Sequence, residues 1–240
     1  MSNCSSLQGM GLDDDVLVDE IFTWDVRTWS KALPTWEGGL GSSAPLTCLE
    51  IGAGPGGPSL WLALKGHTVV CSNRQDTEQM AAPLHEKYSV REAIEYRDID
   101  ATDIPYENHF DIIIFKSVLG GIGAAGGLEL QQAAMQQMLK ALKPGGRLLF
   151  AENLRATPVH RLARAIAYRI RRSSWRFMTL RELERMLGGF ARHEVHTTGA
   201  LGVFGTTEQR RRTLGALDDA FASRLTPKRW RYVAYGVATK

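Results

Sequence analysis

Short apolar runs alternate along the chain with longer stretches in which apolar residues recur at helical spacing. Residues 46–51, 67–72, 94–97, 110–115, 147–151 and 192–198 read as strands, bounded by Gly, Pro and acidic turns. Between them, residues 58–64, 76–88, 128–142 and 208–224 read as helices, the last with Leu214, Leu217 and Phe221 facing inward. Ahead of the first strand, Val18, Ile21, Phe22, Asp25, Trp29 and Leu33 share one face of a helix over 13–33, which Pro34 is expected to end. Residues 37–45 then form a loop. Residues 230–239 alternate Trp230, Tyr232, Ala234 and Gly236 with Arg231, Val233, Tyr235 and Val237 and are expected to close the sheet as an antiparallel strand. Strands alternating with helices imply an α/β fold built on a mostly parallel sheet.

The length of 240 residues suits one such domain, 13–240, preceded by a small, polar and disordered tail at 1–12. Hydrophobic residues at 44% and charged residues at 23% are ordinary for a globular protein. A net charge of +3 is too small to imply nucleic acid. Cys4, Cys48 and Cys71 form no CxxC pair and read as reduced thiols of a cytoplasmic protein. The acidic start of the chain has no leader pattern, and no run reaches the ~18 apolar residues of a membrane span. The six histidines form no metal-binding spacing, so no metal is expected.

Chemistry concentrates in residues 46–64, LTCLEIGAGPGGPSLWLAL: a strand, a glycine corner and a helix. Two readings compete there. Gly52, Gly54 and Gly57 satisfy GxGxxG, whose helix N-terminus receives a dinucleotide pyrophosphate. Glu50, Gly52, Gly54 and Gly56 equally satisfy acidic-x-G-x-G-x-G, which resembles the first motif of class I S-adenosylmethionine (SAM) methyltransferases. A carboxylate beside the turn suits a sulfonium and an ammonium better than a pyrophosphate. Asn73, at the end of the second strand, stands where an acid usually meets ribose hydroxyls, and the pair Asn73-Arg74 keeps an NADP-dependent oxidoreductase as the alternative. No Tyr-x-x-x-Lys pair supports it. A non-catalytic SAM-binding module is the third reading, hinted at by the neutral Asn73.

Asp100-Ala101 before Ile104-Pro105, then Phe110-Asp111 with aliphatics, then Leu142-Lys143-Pro144-Gly145-Gly146, follow in an order similar to that of the class I methyltransferases. The resemblance implies a Rossmann-like fold, a seven-stranded mostly parallel sheet with an antiparallel last strand, and a helical lid after the fifth strand. It also implies SAM as cofactor, with Asp100 accepting from the adenine amino group and the Ala101 amide meeting a ring nitrogen. Over nearly the whole chain, the segments DVRTWSKAL, LEIGAGPGG, DIIIFKSVLGGIG and LLFAENL resemble methyltransferases found among bacterial surface-polysaccharide genes. That resemblance implies methyl transfer to a hydroxyl of a sugar, nucleotide-sugar or glycan, with a nitrogen or another small metabolite as the alternative acceptor.

Residues 116–127 hold five glycines after Leu119 and read as a mobile loop at the carboxyl end of the fourth strand, with Lys116 a candidate for cofactor or acceptor contact. Residues 152–189 read as the helical lid, and 152–185 hold nine arginines: Arg155, Arg161, Arg164, Arg169, Arg171, Arg172, Arg176, Arg181 and Arg185. These suit an anionic acceptor, a homodimer contact or a membrane surface without insertion. His160 is the first candidate general base and Glu152, ending the fifth strand, the second. Trp24, Trp29 and Trp36 suit the core better than a cofactor cap.

Overall fold

The computed structural model describes residues 14–41, 44–171 and 175–240, with backbone alone at 14, 166–171 and 224. The expected tail at 1–12 and Arg172 lie outside the described residues, as do the side chains of Arg169 and Arg171. Seven strands form one sheet: β1 (Thr47–Ile51), β2 (Thr68–Asn73), β3 (Ile94–Asp98), β4 (Phe110–Lys116), β5 (Leu142–Asn153), β6 (Arg192–Thr198) and β7 (Val233–Thr239). Their order is β3-β2-β1-β4-β5-β7-β6. β1 to β5 pair in parallel, and β7 runs antiparallel to both β5 and β6. The strand order therefore reverses between β1 and β4, and a crevice opens there at the carboxyl ends of the strands.

The period of two along the central strands divides the core. Cys48, Val69, Cys71, Ile112, Ile114 and Leu149 face one layer with Trp29, Trp36 and Trp61. Leu49, Ile51, Val70, Ile113, Phe115 and Phe150 face the other with Met135, Met138, Leu183 and Leu187. Cys48 and Cys71 are buried free thiols.

Several local expectations fail for identifiable reasons. The N-terminal helix is broken into α1 (Asp14–Phe22) and α2 (Val26–Trp29), because Thr23 and Asp25 take positive φ values of 62° and 48°. Glu208 holds that break from far along the chain, its carboxylate accepting from the Asp25 and Val26 amides at 2.7 and 2.9 Å. Pro34 starts α3 (Leu33–Leu40) instead of ending a helix, since the first turn needs no proline N–H. Much of the expected 37–45 loop is thereby helical.

The helices α4 (Gly57–Leu64) and α5 (Thr77–Lys87) flank β2, and α6 (Leu119–Ala141) follows β4. The expected glycine loop at 116–127 is instead the first turns of α6, with a break only at Gly126 and Gly127. Its glycines serve close packing. A Cβ on Gly120 or Gly121 would run into the Trp175 indole, and one on Gly123 into Gln131 and Arg176.

After β5 come α7 (Pro158–Arg171) and α8 (Leu180–Leu187). Leu183 and Leu187 of α8 are fully buried in the second core layer, so α8 supports the sheet. Further on, α9 (Glu208–Leu217) continues through a π-helical turn at Asp218–Ala222 into α10 (Ser223–Leu225). This run reverses the expected orientation, burying Gly215 and Asp218 and leaving Leu217 and Phe221 exposed. Trp230 lies in a 3-10 turn before β7 and not in the strand.

Candidate functional site

The crevice between β1 and β4 gathers Glu50, the glycine corner, Asn73 and Lys116. Register places Glu50 beside Ile114 and Ile51 beside Phe115, so Lys116 ends β4 level with Gly52. Gly52, Gly54 and Gly56 have φ values of 65°, 55° and 84°, which explains why three glycines are needed in this turn. Their surroundings differ. A Cβ on Gly52 would approach Val118 at 2.6 Å, and one on Gly56 would enter the His85 ring. One on Gly57 would enter the carbonyls of Glu20 and Ile21 at the end of α1. Only at Gly54, among these four, is the Cβ direction open. The turn is closed by protein on three sides and free on one.

Glu50 is buried and aimed away from that opening. Its Oε2 accepts from the Ser59 amide at 2.8 Å and the Ser59 hydroxyl at 2.5 Å, capping the first turn of α4. Burial raises its carboxyl to about 8 against the lowering pull of Ser59 and Lys116. The Ser59 amide in the first turn of α4 thus already has the Glu50 carboxyl as its acceptor, and the backbone carbonyls of α1 lie over Gly57. A pyrophosphate placed there would meet oxygens in place of free amides.

Asn73 is bonded to the glycine turn. Its Oδ1 accepts from the Gly54 amide at 2.8 Å and its Nδ2 donates to the Gly54 carbonyl at 3.2 Å, so it clamps the apex of the turn to the end of β2. The position expected to meet ribose thus holds the conformation of the open glycine. Asp100 lies in the turn after β3, with Oδ1 accepting from the Thr102 amide at 2.8 Å and hydroxyl at 2.7 Å. Those bonds hold its carboxyl below the usual range. Ala101 beside it is buried, and the Ile99 amide donates to the Asn73 carbonyl at 2.7 Å, which ties this turn to the same rim.

Lys116 occupies the floor of the crevice. Its ammonium lies 5.5 Å from the Trp24 ring centroid and 5.1 Å from that of Trp29. Burial lowers it to about 8, while Glu50, Glu152 and Asp25 pull the other way. A remnant cavity of about 30 Å³ beside it is lined by Ile21, Thr23, Glu50, Gly52, Ala53 and Pro55. The N-terminal segment thereby roofs the glycine corner.

The two residues read as general bases have other employment. Glu152 is fully buried, its Oε2 accepting from the Val118 and Leu119 amides at 2.9 and 2.7 Å and its Oε1 from the Asn153 amide at 2.8 Å. It caps α6, and burial raises it to about 7. His160 is also buried. Its Nε2–H donates to the Ala200 carbonyl at 2.8 Å, which leaves Nδ1 to accept from the Thr157 hydroxyl at 2.6 Å. Burial holds this imidazole below its ordinary value, and neither nitrogen is available to a substrate proton in this geometry. The arginines of the expected lid also divide. Arg164 donates to the Leu154 carbonyl at 2.6 Å, and Arg176 pairs with Glu182 at 2.6 Å, both as internal struts.

One network escaped the sequence. Asp25 Oδ2 accepts from the Tyr232 hydroxyl at 2.6 Å and its Oδ1 from the Thr28 hydroxyl at 2.9 Å, all three buried. Burial raises Asp25 to about 6. Asp25 and Tyr232 are 207 positions apart, and no local pattern joins them. Among the described residues no His, Cys, Asp and Glu set gathers in a metal-binding arrangement, and no helix is long and apolar enough to cross a membrane.

Comparisons with known proteins follow the same outline. Residues 49–150 match the family model of a methyltransferase domain, a region that holds the glycine corner, Asn73, Asp100 and Lys116. No curated protein matches the chain in sequence. Among solved structures, phosphoethanolamine N-methyltransferase 2 of Haemonchus contortus, in complex with SAM, superposes with a TM-score of 0.63 at 16% identity, covering 94% of this chain. This chain spans only 56% of that enzyme. A SAM-dependent methyltransferase from Methanosarcina mazei gives 0.56 at 16% identity, over 82% of this chain and 92% of that one. The [4+2]-cyclase SpnF gives 0.58 at 15% identity, over 88% and 80%. The fold is that of the class I methyltransferases, and the cyclase marks that the fold hosts other chemistry.

Proposed function

We propose that this protein is a SAM-dependent methyltransferase acting on a small-molecule acceptor. The observation that carries this reading is the asymmetry of the glycine corner. Gly54 presents an open face for a ligand, while at the helix N-terminus that a dinucleotide would use the Ser59 amide is already taken by Glu50 and the α1 carbonyls crowd Gly57. A cationic cofactor tolerates those oxygens and a pyrophosphate does not. The match of residues 49–150 to a methyltransferase domain and the SAM complex of a structural neighbour support the same reading.

In this reading Gly52, Gly54 and Gly56 form the cradle, Asn73 holds Gly54 in its conformation, and Asp100 with Ala101 offers the adenine edge. Lys116 faces the acceptor side, where its low ammonium pKa and aromatic surroundings suit contact with an anionic group or uptake of a proton. SAM supplies the electrophilic methyl group when bound. The chain's contribution is to align an acceptor with it and exclude water, so positioning accounts for much of the rate. The acceptor we favour is a hydroxyl of a sugar, nucleotide-sugar or glycan, on the resemblance to polysaccharide-associated methyltransferases. Transfer to nitrogen is the second reading, favoured by the N-methyltransferase among the neighbours. The buried thiols Cys48 and Cys71 suit a cytoplasmic location.

Gly54→Val tests the site. Two methyl groups would fill the one open side of the turn at a positive φ, so SAM binding measured by equilibrium dialysis should be lost while the far-ultraviolet circular dichroism spectrum is retained. Parent-level SAM affinity in that variant would move the cofactor elsewhere.

A further inference from the structure

The helical run Glu208–Leu225 is built inside out. Its buried side carries Gly215 and Asp218, while Leu217, Phe221 and Leu225 succeed one another at four-residue spacing and are 40%, 49% and 79% exposed. Trp230, just beyond the helix in sequence, is 43% exposed. Asp218 is held inside by function: its carboxylate accepts from the Ala200, Leu201 and Gly202 amides at 2.9 to 3.1 Å. Folding therefore fixes the orientation of the helix and leaves much of Leu217, Phe221 and Leu225 open to solvent.

The neighbouring α7 repeats the pattern. Its His160 reaches the same 200–204 segment through the Ala200 carbonyl and the Phe204 ring, while Val159 and Leu162 are each 65% exposed. Two helices that both anchor on the 200–204 segment thus show apolar residues to solvent.

Charge is distributed to match. Residues 152–231 contain seventeen basic and seven acidic side chains, whereas the rest of the chain contains twelve basic and nineteen acidic. A modest net charge of +3 conceals a strongly basic last third and an acidic remainder. The acids of the Glu208–Leu225 run are all engaged internally. Glu208 caps α2, Asp218 holds the 200–202 amides, and Asp219 pairs with Arg27 and Lys31. Lys228 and Arg229 form no ion pair among the described residues, and Arg229 lies over the Trp230 ring at 5.4 Å.

From this combination we propose that the α7 and α9–α10 face docks peripherally on an anionic lipid surface. Phe221, Leu225 and Trp230 would enter the headgroup boundary, and Lys228 and Arg229 would face lipid phosphates. Apolar side chains rimmed by basic ones on helices too short to span are the chemistry of interfacial binding. The acidic remainder of the chain would be turned away from the surface by the same field, which fixes the orientation of docking.

Vesicle co-sedimentation of the full chain provides the test, using phosphatidylcholine alone and phosphatidylcholine mixed with phosphatidylglycerol. The parent should sediment with the mixed vesicles only and be released as salt rises. Phe221→Glu with Leu225→Glu should weaken binding ~10-fold or more, and Lys228→Gln with Arg229→Gln should weaken it roughly five-fold per residue. All four positions are exposed, so melting temperatures should stay near the parent's. Failure of the parent to bind anionic vesicles overturns the proposal, as does equal binding by the variants. A parent that instead self-associates in sedimentation equilibrium, and becomes monomeric on Leu225→Glu without any vesicle binding, assigns the face to a second copy and also overturns it.

Discussion

Asn73 illustrates how a single side chain changes meaning once its partners are known. Read along the chain, it is a weakened ribose contact, and replacing it by Asp would restore a charged acceptor. In the folded protein its amide both accepts from and donates to Gly54, so Asp at this position keeps the first bond and sets a carboxylate oxygen against the Gly54 carbonyl. Asn73→Asp should therefore loosen the turn and weaken SAM affinity ~10-fold, as one lost bond plus a repulsion implies; calorimetric affinity equal to or tighter than the parent's would return Asn73 to the ribose. Asp25 permits a prediction with a sign. Its folded pKa of about 6 lies above the ordinary 3.8, so between these values the folded chain binds a proton that the unfolded chain does not. The parent then gains stability from this group as pH falls through 6 and loses it as pH rises. Asn cannot ionise, so the stability of Asp25→Asn relative to the parent should increase from pH 4 to pH 7.5, by up to ~3 kcal/mol. Urea unfolding at the two pH values measures the difference, and a decrease would contradict the assignment.

Elements were legible where local pattern decided them and illegible where a distant partner did. The alternation of apolar runs with helical spacing located all seven strands, best in the centre, where burial on both faces leaves a continuous apolar signature; β5 alone starts well before its expected bounds, at Leu142, and takes in the expected Lys143–Gly146 turn. The break between α1 and α2 depends on Glu208, over 180 positions away. The glycines of early α6 resemble a loop in sequence because their purpose, contact with Trp175, is visible only in three dimensions. Glu152 belongs to this class too. Its position at the end of β5 suggested a base, yet three amides use its oxygens to start α6 and close β5. Glu152→Ala would strand those buried donors, at a cost of roughly 2–4 kcal/mol. That corresponds to a fall in melting temperature of about 5–15 °C, while an unchanged melting temperature would show that α6 does not need the cap.

At the scale of the whole molecule, the reversal of strand order between β1 and β4 determines where a ligand can lie, and the sequence already pointed there through its glycines. Through Glu50 it also favoured SAM and kept a dinucleotide as the alternative. Folding adds the atoms behind that preference: the Glu50 carboxyl on Ser59, the α1 carbonyls over Gly57, and Asn73 on Gly54. Titration calorimetry of the parent with SAM, its demethylated product and NADPH sets these cofactors against each other in one experiment. SAM and the demethylated product should bind and NADPH should not; NADPH binding without SAM binding would contradict the assignment of this crevice to methyl transfer.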